Sequence, residues 1–283
     1  MDELENRAAA YLPGRLREAV ARAAEEGNAP IREIRLRRGS LLTLTVGEKN
    51  VPCGVSCSAE ELSETVANLC QQSLYSHAGE IREGVITTDS GIRAGVCGQA
   101  VVKDGRLDCV RSISSVCLRI PHRVPGAADA LYETVKNGVS ALVYSKPGMG
   151  KTTVLRELIP CLASGKEAAR VAVIDTRFEL AAGMDNPGTA DIFLGYPRKE
   201  GMESAVRTMS PQFILCDEIA SEGDAEAVLN AHAAGVAVVA TAHGGSQTEL
   251  RRNPNLGRLL DEGIFGVLCR ITEAGVEVSR TDG

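Results

Sequence analysis

Nine consecutive residues near the middle of the chain have the composition of a phosphate-binding loop. They are Ser145, Lys146, Pro147, Gly148, Met149, Gly150, Lys151, Thr152 and Thr153. A glycine-rich turn presents backbone N–H groups to anionic phosphates, and a helix that follows adds its positive amino-terminal end. We therefore expect all nine to line a nucleotide site. Lys151 would reach the β- and γ-phosphates, and the Thr152 hydroxyl would ligate Mg²⁺.

The sequence around this loop predicts the strand–loop–helix context that such a site requires. Apolar residues 139–144 precede it, and a helix-compatible segment at 153–163 follows. The G-x-x-x-x-G-K-[ST] pattern has Gly where this chain has Ser145. Glycine relieves a backbone restriction that serine does not. Either the loop tolerates Ser145, or nucleotide binding is weaker; the sequence leaves both open.

Two adjacent carboxylates end a second apolar run. Asp217 and Glu218 follow Phe213-Ile214-Leu215-Cys216, and ligands of open α/β sheets bind at the carboxyl ends of the strands. We expect Asp217 to hold the Mg²⁺ shell and Glu218 to orient and deprotonate an attacking water. The alternative is that the two carboxylates only end the strand in solvent. The phosphate-binding loop earlier in the chain favours the catalytic interpretation over this one.

Three more residues are candidates for the same edge of the sheet. His243 ends a third apolar run and would hydrogen-bond the γ-phosphate, although a lone histidine is often structural. Asp175 ends a fourth run. Arg207 precedes the Asp-Glu strand and would reach a phosphate across a subunit boundary; a surface salt bridge is equally open.

Composition restricts the class of protein. The 283 residues favour two domains, and the net charge of −6 arises entirely in residues 126–283, which carry 15 basic and 21 acidic side chains. With no Trp, 3% aromatic residues and this acidic half, no nucleic-acid partner is expected. A basic cluster, Arg32, Arg35, Arg37 and Arg38, would face acidic lipid headgroups, a neighbouring subunit or, most simply, solvent.

The cysteine pattern and the first residues predict the compartment. The nine cysteines are scattered, with no zinc-like spacing, so we expect free buried thiols in a reducing cytoplasm. The chain opens on acidic, helix-forming residues rather than a signal peptide. Its longest uncharged apolar stretch, between His232 and His243, is far shorter than the roughly 20 residues of a membrane span. We expect a soluble protein.

Hydrophobic periodicity divides the chain at a Pro- and Gly-containing segment. Residues 1–120 combine helical patterns with alternating strands and predict a small α+β domain. Residues 121–126 form the expected linker. In residues 127–283, apolar runs at 139–144, 171–175, 213–217 and 236–241 alternate with helical patterns, which is typical of a parallel sheet with crossover helices. The predicted fold class is α/β with a smaller amino-terminal α+β domain.

Taken together, the motifs resemble the stage III sporulation protein AA family, which is related to the type II and type IV secretion and pilus ATPases. The residues that carry the resemblance are Gly-Lys-Thr-Thr at 150–153, Ile-Asp-x-Arg-x-Glu at 174–179, Glu-Gly-Met at 200–202, Arg-x-Met-Ser-Pro at 207–211, Asp-Glu-Ile at 217–219, Thr-Ala-His-Gly at 241–244, Glu-Ile-Arg-Leu-Arg at 33–37 and Gly-Ile-Arg-Ala-Gly at 91–95. This chain departs from the family pattern at Ser145 and at Thr176, where the family has Gly and Glu.

The resemblance implies a RecA-like P-loop NTPase core that uses ATP and Mg²⁺ and assembles as a homo-oligomer, a hexamer. Its partners would be membrane proteins of a sporulation channel complex, on the mother-cell side of the outer forespore membrane. In such rings, arginines of a neighbour complete the site, and Arg93, Arg111 and Arg119 are the candidates.

Three functions follow from these residues. The leading hypothesis is an ATP-hydrolysing motor, because Glu218 is retained beside Asp217. The second is a nucleotide-binding assembly scaffold with little or no hydrolysis, suggested by Ser145 and Thr176. A small-molecule kinase would share the loop, but the Asp-Glu pair and the lack of an evident arginine-rich lid argue against it.

Overall fold

The computed structural model describes residues 1–25, 29–47, 49–88, 91–121, 124, 126–181, 184 and 186–281. The chain divides into two compact units, Met1–His122 and Arg123–Gly283. Residues 122, 123 and 125 of the linker expected at 121–126 lie outside the described residues, so that linker stays a prediction.

The first unit is an antiparallel sheet with helices. Its elements are α1 (Glu3–Ala10), α2 (Gly14–Glu25), β1 (Ile31–Arg37), β2 (Leu41–Val46), β3 (Lys49–Ser56), α3 (Ala59–Leu69), α4 (Ala78–Glu83), β4 (Val85–Thr87), β5 (Arg93–Lys103) and β6 (Arg106–Arg119). The strand order is β3-β2-β1-β6-β5-β4. Every neighbouring pair runs antiparallel.

Local sequence explains most of these boundaries. Ser58 and Glu61 form a capping box at the start of α3. That helix ends at Leu69, because Gln71 and Gln72 adopt left-handed backbone with φ of +49° and +64°. β3 contains Pro52, and the strand lies at the sheet edge, where a missing N–H is tolerated.

The basic cluster lies on and next to β1. Ile34 and Leu36 are buried, whereas Arg37 and Arg38 are exposed. Arg35 pairs with Glu33 at 2.7 Å on the half-exposed face of the strand. This alternation is that of a strand with one face on the core and one exposed, which all three expectations for the cluster require, so the choice among them stays open.

The second unit is a doubly wound α/β sheet. Its elements are α5 (Asp129–Val135), β7 (Ala141–Ser145), α6 (Lys151–Ala163), β8 (Val171–Asp175), β9 (Asp191–Leu194), α7 (Arg198–Met209), β10 (Phe213–Cys216), α8 (Glu222–Ala233), β11 (Ala237–His243), α9 (Gln247–Leu250), α10 (Pro254–Asp261), β12 (Val267–Thr272) and β13 (Gly275–Arg280). The order is β13-β12-β7-β11-β10-β8-β9, parallel except for the β12–β13 hairpin.

Helices cover both faces of this sheet, which is why its strands read as continuous apolar runs. Alternate residues, such as Val143 and Leu215, pack with α5 and α6. Their neighbours, such as Leu142 and Ile214, pack with α7, α8 and α10. Because β7, β11 and β10 are adjacent and parallel, their carboxyl ends meet at one edge.

Two expectations about environment can be compared with the described residues. No helix among them is both long enough and apolar enough to cross a membrane. The structure describes all nine cysteines and joins none of them in a disulfide, but the expectation that they are buried was wrong for five, because only four are fully enclosed. Those four are Cys57, Cys70, Cys216 and Cys269.

Candidate active site

The glycine-rich loop connects the end of β7 to the first turn of α6. Gly148 and Gly150 adopt φ of +78° and +97°, values that residues with a Cβ rarely adopt. Gly150 is the N-cap of α6 and, as a glycine, has no side chain with which to cap that helix. The first N–H groups of α6 have no partner within the helix and carry its positive dipole end. Such a helix start is suited to an anion.

Ser145 lies in the strand rather than in the turn. It is the last residue of β7, 1% exposed, and its φ is not positive. Its hydroxyl donates a 2.8 Å hydrogen bond to the carbonyl oxygen of Lys146. The backbone restriction expected for serine at this position therefore does not arise.

The other loop residues differ in exposure. Lys146, Pro147 and Gly148 are exposed, whereas Met149, Gly150, Thr152 and Thr153 are half-buried. Thr152 occupies the first turn of α6, directly after Lys151. The structure thus gathers all nine loop residues around one helix start, as their sequence order requires, and their contacts with nucleotide stay a prediction.

Lys151 is enclosed and already has polar neighbours. It is only 6% exposed, and its Nζ lies 3.4 Å from the carbonyl oxygen of Ser145 and 3.1 Å from Nδ1 of His243. Burial lowers the pKa of Lys151, and the nearby Glu218 carboxylate partly opposes that change. The ammonium group therefore lies in a place where an additional negative charge would be favourable.

One imidazole connects this lysine to the predicted catalytic carboxylate. His243 Nε2 lies 2.7 Å from Oε1 of Glu218. An ammonium group can only donate, so Nδ1 of His243 accepts from the protonated Lys151, and the ring proton resides on Nε2 and is donated to Glu218. The structure therefore brings Lys151, His243 and Glu218 together, three of the four residues predicted as catalytic.

Glu218 is held by residues of β11 and by a residue just beyond β8. Its Oε2 accepts a 2.5 Å hydrogen bond from Nη1 of Arg177, just beyond β8. Its backbone N–H donates to Oγ1 of Thr241 on β11 at 2.8 Å. The residue has φ of +28°, the left-handed region. Arg177 was noted in the sequence only as part of the motif at 174–179, and its contact with Glu218 was not foreseen.

Asp217 is buried beside an arginine that the sequence analysis missed. It is 3% exposed, and Oδ1 accepts from Nη2 of Arg198 at 3.3 Å. Arg198 also donates to both carboxylate oxygens of Asp224, at 3.0 and 3.1 Å. Burial raises the pKa of Asp217, and Arg198 partly opposes that rise.

The second oxygen of Asp217 fits the predicted metal shell. Oδ2 is buried and receives no hydrogen bond from any residue that the structure describes. Such an orphaned acceptor requires a donor or a cation. A hydrated Mg²⁺ supplies both, since it keeps several waters and uses few carboxylates. Among the described residues, no group of three or more His, Cys, Asp or Glu side chains could hold a metal ion. A Mg²⁺ at Asp217 would therefore need phosphate oxygens among its other ligands.

Asp175 has a structural position instead. It is fully buried at the end of β8, and its carboxylate accepts from the backbone N–H groups of Glu179, Leu180 and Ala181, at 2.8, 3.0 and 2.8 Å. Thr176 donates its hydroxyl to the carbonyl oxygen of Tyr196 at 3.0 Å. Both residues shape the turn that carries Arg177.

Arg207 does not join the site within one chain. It is exposed in the last turn of α7 and makes no ion pair with a residue that the structure describes. Arg198, which contacts Asp217, begins that helix, and nine residues of helix rise about 14 Å. Its role across a subunit boundary stays a prediction.

The three other candidate arginines belong to the first unit. Arg93 and Arg119 are direct partners in the β5–β6 register, and Arg119 Nε lies 3.5 Å from Oε1 of Glu33. Arg111 is exposed farther along β6. Whether any of them completes the site of a neighbouring subunit stays a prediction.

Solved structures share this fold. The ATPase DotB of Legionella pneumophila aligns with a TM-score of 0.60 and 16% identity, covering 92% of this chain and 76% of that one. The pilus retraction motor PilT with bound ADP aligns with a TM-score of 0.64 and 15% identity, covering 93% and 82%. These likenesses confirm the predicted RecA-like P-loop ATPase fold.

Sequence comparison assigns the family. Stage III sporulation protein AA of Bacillus subtilis (strain 168) is 29% identical over 280 residues, which cover 95% of this chain and 91% of that protein. The family described as sporulation stage III, protein AA matches residues 3–278. The chain therefore belongs to the sporulation stage III, protein AA family, as its motifs predicted.

Proposed function

We propose that this protein hydrolyses ATP and is the motor of a sporulation channel complex. The observation that supports this most directly is the continuous contact from Lys151 through His243 to Glu218. It joins a group suited to bind phosphate to a group suited to activate water. The Legionella ATPase and the ADP-bound pilus motor that share the fold are consistent with it.

Each residue would have a separate task in hydrolysis. Residues 145–153 would hold the phosphates, and Lys151 would transfer its hydrogen bond from His243 to the β- and γ-phosphates. Glu218 would orient the attacking water and accept its proton, while His243 would sense the γ-phosphate. Thr152 and Asp217 would hold Mg²⁺, which neutralises charge on the phosphates when bound.

We also propose the setting of this activity. The protein would assemble as a homo-oligomer, a hexameric ring, in which Arg207 or the first-unit arginines Arg93, Arg111 and Arg119 complete a neighbour's site. It would act in the cytoplasm, at a membrane complex on the mother-cell side of the outer forespore membrane, with membrane proteins of that channel as partners. Family membership and the secretion and pilus ATPases of similar fold support this setting.

A second function, a nucleotide-binding scaffold without turnover, is favoured by one observation. Both reactive groups have partners in their own chain: Lys151 contacts His243, and Glu218 contacts both His243 and Arg177. A protein in which these contacts persist with ATP bound would bind nucleotide and assemble but would not hydrolyse it.

Steady-state phosphate release from Mg·ATP, measured over a series of protein concentrations, separates the two functions. We expect turnover that rises with concentration in the native protein and is lost in Lys151→Ala and Glu218→Gln. Glu226→Gln is the matched control, because Glu226 is exposed on α8 and pairs only with Lys199 at 2.7 Å among the described residues. ATP binding that is lost in Lys151→Ala, without phosphate release from any form, would replace the motor by the scaffold.

A further inference from the structure

Glu218 has a backbone conformation that needs an external cause. Its φ of +28° lies in the left-handed region, which residues with a Cβ adopt at an energetic cost. Such conformations persist where the surrounding structure imposes them, and they concentrate at functional sites. The carboxylate of Glu218 is placed by this backbone, so whatever imposes the conformation also places the proposed base.

Thr241 supplies the contacts that impose it. Its Oγ1 accepts the N–H of Glu218 at 2.8 Å, and its carbonyl oxygen accepts the N–H of Ile219 at 2.9 Å. Thr241 is itself only 2% exposed. Any residue at position 241 supplies the carbonyl, but the first contact requires a side-chain acceptor close to the backbone. Threonine and serine provide that acceptor.

The same strand also holds the other end of Glu218. Thr241 and His243 are two residues apart on β11, so their side chains leave the strand on the same face. Thr241 binds the backbone N–H of Glu218, and His243 binds its Oε1 at 2.7 Å. β11 therefore fixes both the main chain and the carboxylate of Glu218, two residues beyond the end of the neighbouring strand β10.

We propose that Thr241 is a positioning residue for the hydrolysis proposed above, acting through the backbone of Glu218. Without its hydroxyl, the Glu218 N–H loses its acceptor, and the main chain relaxes towards an ordinary φ. The carboxylate then leaves His243. Nucleotide binding, which uses the loop before α6, is unaffected. The inference rests on the proposed function for its effect on catalysis but not for its effect on Glu218.

The kinetic test compares Thr241→Val, which has the same shape without an acceptor, with Thr241→Ser, which keeps it. We expect kcat to fall at least about tenfold in Thr241→Val, with KM and the Kd for ATP changed less than about threefold. Thr241→Ser should keep most of the native kcat. Thr241→Ala is made in parallel, so that a folding defect specific to valine does not decide the result, and thermal unfolding checks each variant.

A second readout does not depend on turnover. The chain has four histidines, and the ¹⁵N chemical shifts of the His243 imidazole, assigned with His243→Gln, report its contact with Glu218 at fixed pH. We expect those shifts to move in Thr241→Val and Thr241→Ala and to stay in place in Thr241→Ser. If the shifts move in Thr241→Val and Thr241→Ala but the native protein hydrolyses no ATP, the positioning role of Thr241 stays and the proposed hydrolysis is wrong. Unmoved shifts in folded Thr241→Val, or native kcat in that variant, would overturn the role of Thr241.

Discussion

Nζ of Lys151 lies 3.1 Å from Nδ1 of His243, although 92 residues separate them in the sequence. The opposite ring nitrogen of His243 contacts Glu218. The imidazole therefore occupies a donor of the phosphate-loop lysine and the carboxylate of the proposed base at the same time. An incoming phosphate would compete with His243 for this one donor of Lys151.

Removing this imidazole should separate binding from turnover. In His243→Ala, Lys151 loses a competing partner worth about one hydrogen bond, so the Kd for ATP should fall about fivefold. Turnover should fall at least about tenfold, because Glu218 loses the contact that links it to Lys151. A fluorescent ATP analogue and phosphate release measure the two quantities. His232→Ala, an exposed histidine on α8, is the control. Weaker ATP binding in His243→Ala would show that His243 supports the loop rather than competing with phosphate.

Much of this site could be predicted because parallel strands bring their carboxyl ends to one edge. The apolar runs before Ser145, Asp217 and His243 became β7, β10 and β11, which are neighbours in the sheet. Residue type then indicated the chemistry: a lysine after glycines, two adjacent carboxylates and a histidine. The family pattern gave the RecA-like core, which the similar solved structures confirm.

Other features depend on contacts that no local pattern encodes. Arg198 reaches Asp217 and Asp224, 19 and 26 residues away, because α7 and α8 pack side by side. The left-handed backbone of Glu218 depends on Thr241 from another strand. β9 was missed because four residues at a sheet edge, burying only Phe193 fully, carry too short an apolar pattern.

Loss of Arg198 should destabilise the second unit strongly. The arginine is 13% exposed and neutralises two buried carboxylates, so Arg198→Ala leaves both without their cation. We expect a loss of about 3–5 kcal/mol in the free energy of unfolding, measured by urea titration. Lys199→Ala is the matched control. The neighbouring Lys199 pairs with Glu226 on the same helix α8, but both side chains are exposed, and stability should change little. Similar losses in both variants would remove the special role of Arg198.

Asp217 should lower the stability of the metal-free protein at neutral pH. Burial raises its pKa above that of the unfolded chain, so the ionised carboxylate is less favourable in the folded state. As pH falls through the folded pKa, the folded protein takes up this proton first, and the penalty is released. Asp217→Asn, which carries no charge and leaves Arg198 its pair with Asp224, should therefore unfold at a higher temperature at neutral pH without Mg²⁺.

The pH series decides that prediction. The advantage of Asp217→Asn should shrink as the pH is lowered towards the unfolded pKa of an aspartate, about 3.9. Asp261→Asn, at an exposed site on α10, is the control for removing one negative charge from the acidic second half. An advantage that stays constant with pH, or that equals that of the control, would show that burial of the Asp217 charge is not its cause.

Restoring the family glycine at position 145 should not improve nucleotide binding. Ser145 is a residue of β7, and its φ is not in the left-handed region that favours glycine. It contacts Lys151 through its carbonyl oxygen, which glycine also has. Ser145→Gly should leave the Kd for ATP within about threefold, while a more flexible residue in a buried strand costs about 0.5–1 kcal/mol of stability. Fluorescent ATP binding and urea unfolding measure both effects. A Kd lowered by about tenfold or more would mean that the Ser145 side chain, rather than its backbone, obstructs the phosphates.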